Sequence, residues 1–215
     1  AEAAGGEELL GIAAPHVSPE GGWASYRAAY GALSKEMREK VFVVLGTSHY
    51  GEPERFGLTR KNFVTPFGEA RTQRDLVERL AGLRASKVED YCHAVEHSIE
   101  FQVVFLQHVY GPKVRILPVL CGSFARSLYL GGAPEDDPQV ERFFHAMSEL
   151  QAREGKRLFY VLGIDMAHMG RRYGDDFTAR AGAGRMREIE EQDRLRIAAL
   201  SRGDAGEFWD LVQPN

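Results

Sequence analysis

The sequence predicts an α/β fold, a central and mostly parallel sheet with helices on both faces, on three observations. Residues 9–14, 41–45, 114–120 and 157–164 are near-continuous apolar runs, the pattern of strands buried on both faces. Between them apolar residues recur with helical spacing. The two patterns alternate along the chain, as they do where helices connect parallel strands.

In order, the first strand lies in "LLGIAAPH" and ends on His16, and helical spacing then runs from Trp23 to Met37. The second strand, "VFVVLGTSH", passes through Gly46, Thr47 and Ser48 to His49, and a helix is expected over 72–83. A helix over 98–110 leads to the third strand, "VRILPVLCGS", which ends on Cys121, Gly122 and Ser123. The stretch "GGAPEDDP" (131–138) resists both helix and strand and reads as a loop. A helix over 138–154, the strand "RLFYVLGIDMAH" ending on Asp165 with His168 three residues on, and a helix over 187–200 complete the pattern. There is neither repeat nor composition break, so residues 1–215 are expected to form a single domain.

Composition narrows the function classes. A hydrophobic content of 44% over 215 residues supports a substantial core. The formal charge of -4, with acids and bases interspersed, argues against a nucleic-acid partner, which needs a concentrated basic face. Arg60-Lys61, Arg71/Arg74 and Arg171-Arg172 read as solvated surface. No apolar run approaches the roughly 20 residues of a membrane span. The start, "AEAAGGEELL", has no signal-peptide pattern, and a cytoplasmic location is the expectation. Two cysteines, Cys92 and Cys121, are too few for a disulfide framework. Both ends read as cut, since there is no initiator Met and "FWDLVQPN" stops inside what could be a longer domain.

Ligands of open α/β sheets bind beyond the carboxyl ends of the strands. Three of the four strands bring imidazoles there: His16, His49 and, beside Asp165, His168. The segment "CHAVEHSIEFQ" adds His93, Glu96, His97 and Glu100, which share one face if the segment is a single helix. If the helix instead begins nearer Ser98, His97 sits at its mouth. Neutral imidazoles with a carboxylate or thiolate suit Zn, Fe, Cu and Ni. Asp165 could be a ligand or an orienter of an imidazole. A metal-free alternative uses His97 or His168 as general base and Ser48 or Ser123 as nucleophile, but neither serine lies in a G-x-S-x-G elbow. "GTSHYG" and "LCGSF" match no nucleotide-binding fingerprint.

The ordered set "APH" (14–16), "LGTSH" (45–49), "TPFG" (65–68), "EHSIEFQ" (96–102), "VRILPVLCGS" (114–123) and "GIDMAHMGRRYG" (163–174) resembles the MEMO family, the B component of the bacterial AmmeMemoRadiSam set. That family is similar in fold to the extradiol, class III non-haem iron dioxygenases. The resemblance implies that His16 and His49 bind metal and that His97, Asp165 and His168 line the pocket, with His168 the candidate acid/base. It implies a divalent metal cofactor, Fe(II) favoured and Cu or Zn possible. Two features depart from the family. Val17-Ser18-Pro19 stands where many members have Gly-Tyr. The family's remaining ligand, a Cys in an Arg-x-Cys-Gly-like motif, is absent before Asn215. Cys121 reads as a small buried residue rather than its substitute. The expectation is a metal-dependent, dioxygenase-like oxidoreductase of unknown substrate. The alternative is a non-catalytic module that binds a small-molecule or peptide ligand in the same pocket.

Overall fold

The computed structural model describes residues 9–213. It runs β1 (Gly11–Ala14), α1 (Pro19–Tyr30), β2 (Val41–Thr47), β3 (Phe56–Leu58), β4 (Phe63–Thr65), β5 (Gly68–Thr72), α2 (Arg74–Ala81) and β6 (Ser86–Val88). It continues α3 (Asp90–Val95), α4 (Glu100–Tyr110), β7 (Arg115–Cys121), α5 (Ala125–Leu130), α6 (Pro138–Glu154), β8 (Leu158–Gly163), α7 (Arg185–Ser201) and α8 (Ala205–Val212). The chain divides into two compact units. The first holds residues up to Phe124 together with Pro134–Ile164, and the second holds Ala125–Ala133 with the residues from Asp165 onward.

In the first unit β1, β8, β2 and β7 lie side by side in parallel. The path continues to β3 and β6, with β3 antiparallel to β7 and parallel to β6. β5 pairs with the start of β7 and carries β4 as a hairpin partner. The predicted class is therefore the observed one, an α/β fold on a mostly parallel sheet.

Alternation along β2 shows why both faces are dry. Phe42 and Val44 join a core with α1 and α4, including Tyr26, Val103 and Leu106. Val41 and Val43 join a core on the other face with α2 and α6, including Leu76, Leu80, Val140 and Phe143. All four β2 residues are fully buried.

Pro118 is unexpected in so central a strand, because it cannot donate to a ladder. Its place explains it. The main-chain groups of Val114 and Ile116 face β5, since their carbonyls accept from Arg71 and Gln73. By strand alternation Pro118 faces the same side. It falls between Ile116, the last residue paired with β5, and Val119, the first paired with β3, where no N–H is called for.

Local chemistry sets the helix ends. The predicted helix over Trp23–Met37 starts earlier and stops earlier. Ser18 caps α1 with Pro19 in its first turn, and the helix closes at Gly31. Asp137 accepts from Gln139 N–H and Pro138 opens α6, whose bounds match the expectation. The loop expected over 131–138 holds a single 3-10 turn, Pro134–Asp136.

The second unit packs α7 against α8. Arg196 donates twice to the Leu211 carbonyl, at 3.1 and 3.0 Å. Trp209 Nε1 and Gln213 Nε2 both donate to the Gly132 carbonyl, at 2.7 and 2.8 Å. Among the described residues no helix is long and apolar enough to cross a membrane.

Candidate metal centre

The parallel register of β1, β8 and β2 aligns Ala14 with Gly163 and Gly163 with Gly46. His16 follows β1 by two residues and His49 follows β2 by two, so both reach the same edge. A third segment, 96–102, lies across these strand ends. Two glycines admit it. A Cβ on Gly163 would stand 2.5 Å from the Ser98 carbonyl, and one on Gly46 would stand 2.6 Å from Ser98 Oγ and from Ile99 Cγ1. Hydrogen bonds then fasten the segment: Ser98 Oγ donates to the Thr47 carbonyl at 2.8 Å, and Gln102 Nε2 to the Pro15 carbonyl at 2.9 Å. Tyr30 OH, buried below, donates to Gln102 Oε1 at 2.7 Å.

The segment is not one helix. α3 ends at Val95, Glu96 is extended (φ -91, ψ 135), and α4 begins at Glu100. The break splits the four residues that a single helix would align. Glu96 and His97 turn to the strand ends, whereas His93 and Glu100 line a separate cavity of about 270 Å³ with Thr59, Phe63 and Asp90. His97 sits just before the helix mouth, as the second reading of its spacing had it.

His16, His49 and His97 form one group, with a ligand atom from each within 4.8 Å of the others. Ring centroids are 5.2, 5.5 and 5.3 Å apart for the pairs 16–49, 16–97 and 49–97. His16 is buried, while the side chains of His49 and His97 are about two-fifths exposed (41% and 43%), so the group opens on their side. His16 Nδ1 lies 2.9 Å from the Gly163 carbonyl, an acceptor only, so Nδ1 carries a proton, and in the neutral ring the lone pair is on Nε2.

Glu96, 3% exposed, is the residue beneath the group. Oε2 accepts from His49 N–H at 2.8 Å, and both oxygens stand 3.0 Å from His49 Nδ1. Oε1 also accepts from the N–H groups of His97 at 2.9 Å and Ser98 at 3.3 Å, with His97 Nδ1 at 3.4 Å. Burial pushes its carboxyl up, but the backbone N–H and ring of His49, with the Ser98 N–H, outweigh that and hold it below the usual carboxylate range. The carboxylate therefore stays ionised and holds a proton on His49 Nδ1, which in the neutral ring leaves the lone pair on Nε2.

Three imidazoles, one of them held at Nδ1 by a buried carboxylate, are a donor set that could hold a divalent first-row ion. Among these residues Glu96 was named in the sequence only as one of four polar residues on a possible helix face, with no role of its own, because a glutamate in a helical pattern reads as solvated.

His168 and Asp165 belong to the second unit and pair with each other. His168 Nε2 is 3.4 Å from Asp165 Oδ2 and its Nδ1 is 3.0 Å from the Met166 carbonyl. The Tyr173 ring stands edge-on to His168 at 5.0 Å. Ser48 Oγ accepts from Gly51 N–H at 3.1 Å and closes a turn. Cys121 packs with the core on the α2 and α6 face, and burial pushes its thiol up to about 12. The divergent Val17-Ser18-Pro19 is the cap of α1, and the Val17 carbonyl accepts from Tyr26 OH at 2.9 Å.

Fold and centre together define a class, α/β proteins with a carboxylate-backed histidine cluster at the ends of parallel strands. More specifically, the chain belongs to the Memo-like protein family, whose profile matches residues 2–215. A MEMO1 family protein of Methanococcoides burtonii is 26% identical over 162 residues, 75% of this chain and 56% of that protein. One from Aquifex aeolicus is 28% identical over 208 residues, 94% of this chain and 49% of that protein. A third, from Thermococcus kodakarensis, is 29% identical over 209 residues, 93% and 68% of the two chains. The chain thus spans about half the length of the first two relatives.

Proposed function

We propose that the protein binds one divalent transition-metal ion through His16, His49 and His97 and presents it to a small ligand at the exposed side of His49 and His97. The observation that carries this is the meeting of three imidazoles, each from a different segment, with a ligand atom apiece within 4.8 Å. A buried anion beneath them makes the cluster more favourable for a cation than three neutral rings alone. The all-nitrogen set suits Fe(II), Zn(II) and Cu(II). When bound, such an ion supplies Lewis acidity or, for iron and copper, redox chemistry of the kind the dioxygenase resemblance implies.

This chain's own residues do the rest. His16 is held by the Gly163 carbonyl and His49 by Glu96, so neither ring reorients when a ligand arrives. Within the second unit His168, with Asp165 at 3.4 Å, is an imidazole backed by a carboxylate, the pairing to which the family resemblance attaches acid/base chemistry.

The test is the metal content of anaerobically purified protein beside its His16→Ala and His49→Ala variants. About one ion per chain in the parent, lost in both variants, is the expected result. Equal metal in all three would refute the proposal.

A further inference from the structure

We infer that Glu96 is a positioning residue, a single carboxylate that sets the tautomer of His49 and locks its ring while it holds His97 through the backbone N–H. Its purpose rests on the metal-binding reading above, but its geometry does not.

An ionised carboxylate offers about four acceptor positions. Around Glu96 four donors take them: the N–H groups of His49, His97 and Ser98, and Nδ1 of His49. Three of the four are main-chain groups, so the carboxylate is fixed whatever the neighbouring rotamers do. It then imposes one choice on the His49 ring. An anion with both oxygens 3.0 Å from Nδ1 requires a proton there, and in the neutral ring that puts the lone pair on Nε2. His97 Nδ1 arrives fifth, at 3.4 Å, when the acceptor positions are taken. The two rings therefore differ. His49 is held by its side chain, whereas His97 is held through its backbone N–H at 2.9 Å and its ring is less constrained.

A purely structural role for Glu96 would be to cap the turn between α3 and α4 by accepting from residues 97 and 98. The bond to His49 Nδ1 lies outside that turn, 47 residues away in sequence, and it separates the two roles.

The experiment is nitrogen-15 imidazole NMR of metal-free protein at a pH where the rings are neutral, for the parent and for Glu96→Gln. Gln is the same size but exchanges one acceptor oxygen for a donor. The parent should show His49 and His16 as Nδ1–H tautomers. In Glu96→Gln, His49 should move largely to the Nε2–H form, while His16, held by Gly163, stays unchanged as an internal control. Zn(II) affinity, measured by chelator competition, should fall roughly 10–100-fold. His49 as Nε2–H in the parent, or unchanged in the variant, overturns the inference, and the parent spectrum decides even if the variant does not fold. A tautomer switch in a parent that binds no metal upholds Glu96 as the positioning residue and refutes the metal reading instead.

Discussion

Gly163→Ala tests how closely the histidine-bearing segment depends on the strand ends. The new methyl would stand 2.5 Å from the Ser98 carbonyl and 3.1 Å from Gln102 Nε2. Ordinary contact begins near 3.4 Å, so the Ser98 backbone would have to retreat by about 0.9 Å. Backbone cannot swing aside as a side-chain tip does, and overpacking of this kind costs about 1–3 kcal/mol. At roughly 2–4 °C per kcal/mol for a chain of this size, the melting temperature should fall by about 2–12 °C. Ser98 is two residues from Glu96, and a functional cluster tolerates misplacement of only about 0.5 Å. Zn(II) affinity should therefore drop by about tenfold or more. The assays are thermal unfolding by circular dichroism in chelator and metal competition at 25 °C. Gly82→Ala is the control, because nothing stands within 4 Å of its Cβ position and its φ of -80 suits alanine. Gly163→Ala with unchanged melting temperature and unchanged affinity would refute the reasoning.

Three further outcomes follow from groups elsewhere in the first unit. Burial holds His93 below its ordinary 6.5. The unfolded chain then binds more protons than the folded one as pH falls below 6.5, so stability is lost in that direction. His93→Gln should flatten that part of the acid limb in urea titrations at several pH values. Tyr30→Phe removes the buried donor to Gln102 Oε1 and should destabilise by about 1–2 kcal/mol in urea unfolding. Cys121, its thiol pushed up to about 12, and Cys92, also raised by burial, should both resist iodoacetamide in the folded protein at pH 8 and react once it is unfolded, as mass spectrometry would read.

The sheet was legible because burial on both faces leaves a mark in one dimension. Val41–Val44 carry no polar residue, and only a strand inside a covered sheet removes the need for alternation. His16 and His49 were legible for the same reason, as imidazoles that end such strands. β3, β4, β5 and β6 were not, because strands of three to five residues are defined by their partners and carry no periodicity of their own. The break at Glu96 was one of two readings of its segment, the other being a single helix. Residues 93, 96, 97 and 100 keep helical spacing, and only the approach of Ser98 to two glycines shows why the helix gives way there. A charged side chain reads as solvated until the fold surrounds it with donors, which is why the role of Glu96 emerged from its contacts and not from its spacing.

The most direct measurement is an anomalous-difference map from a crystal of the protein loaded with Zn(II). A single strong peak about 2.0–2.1 Å from one ring nitrogen each of His16, His49 and His97 is the expected result. A peak away from these three rings, or none at saturating metal, would contradict it.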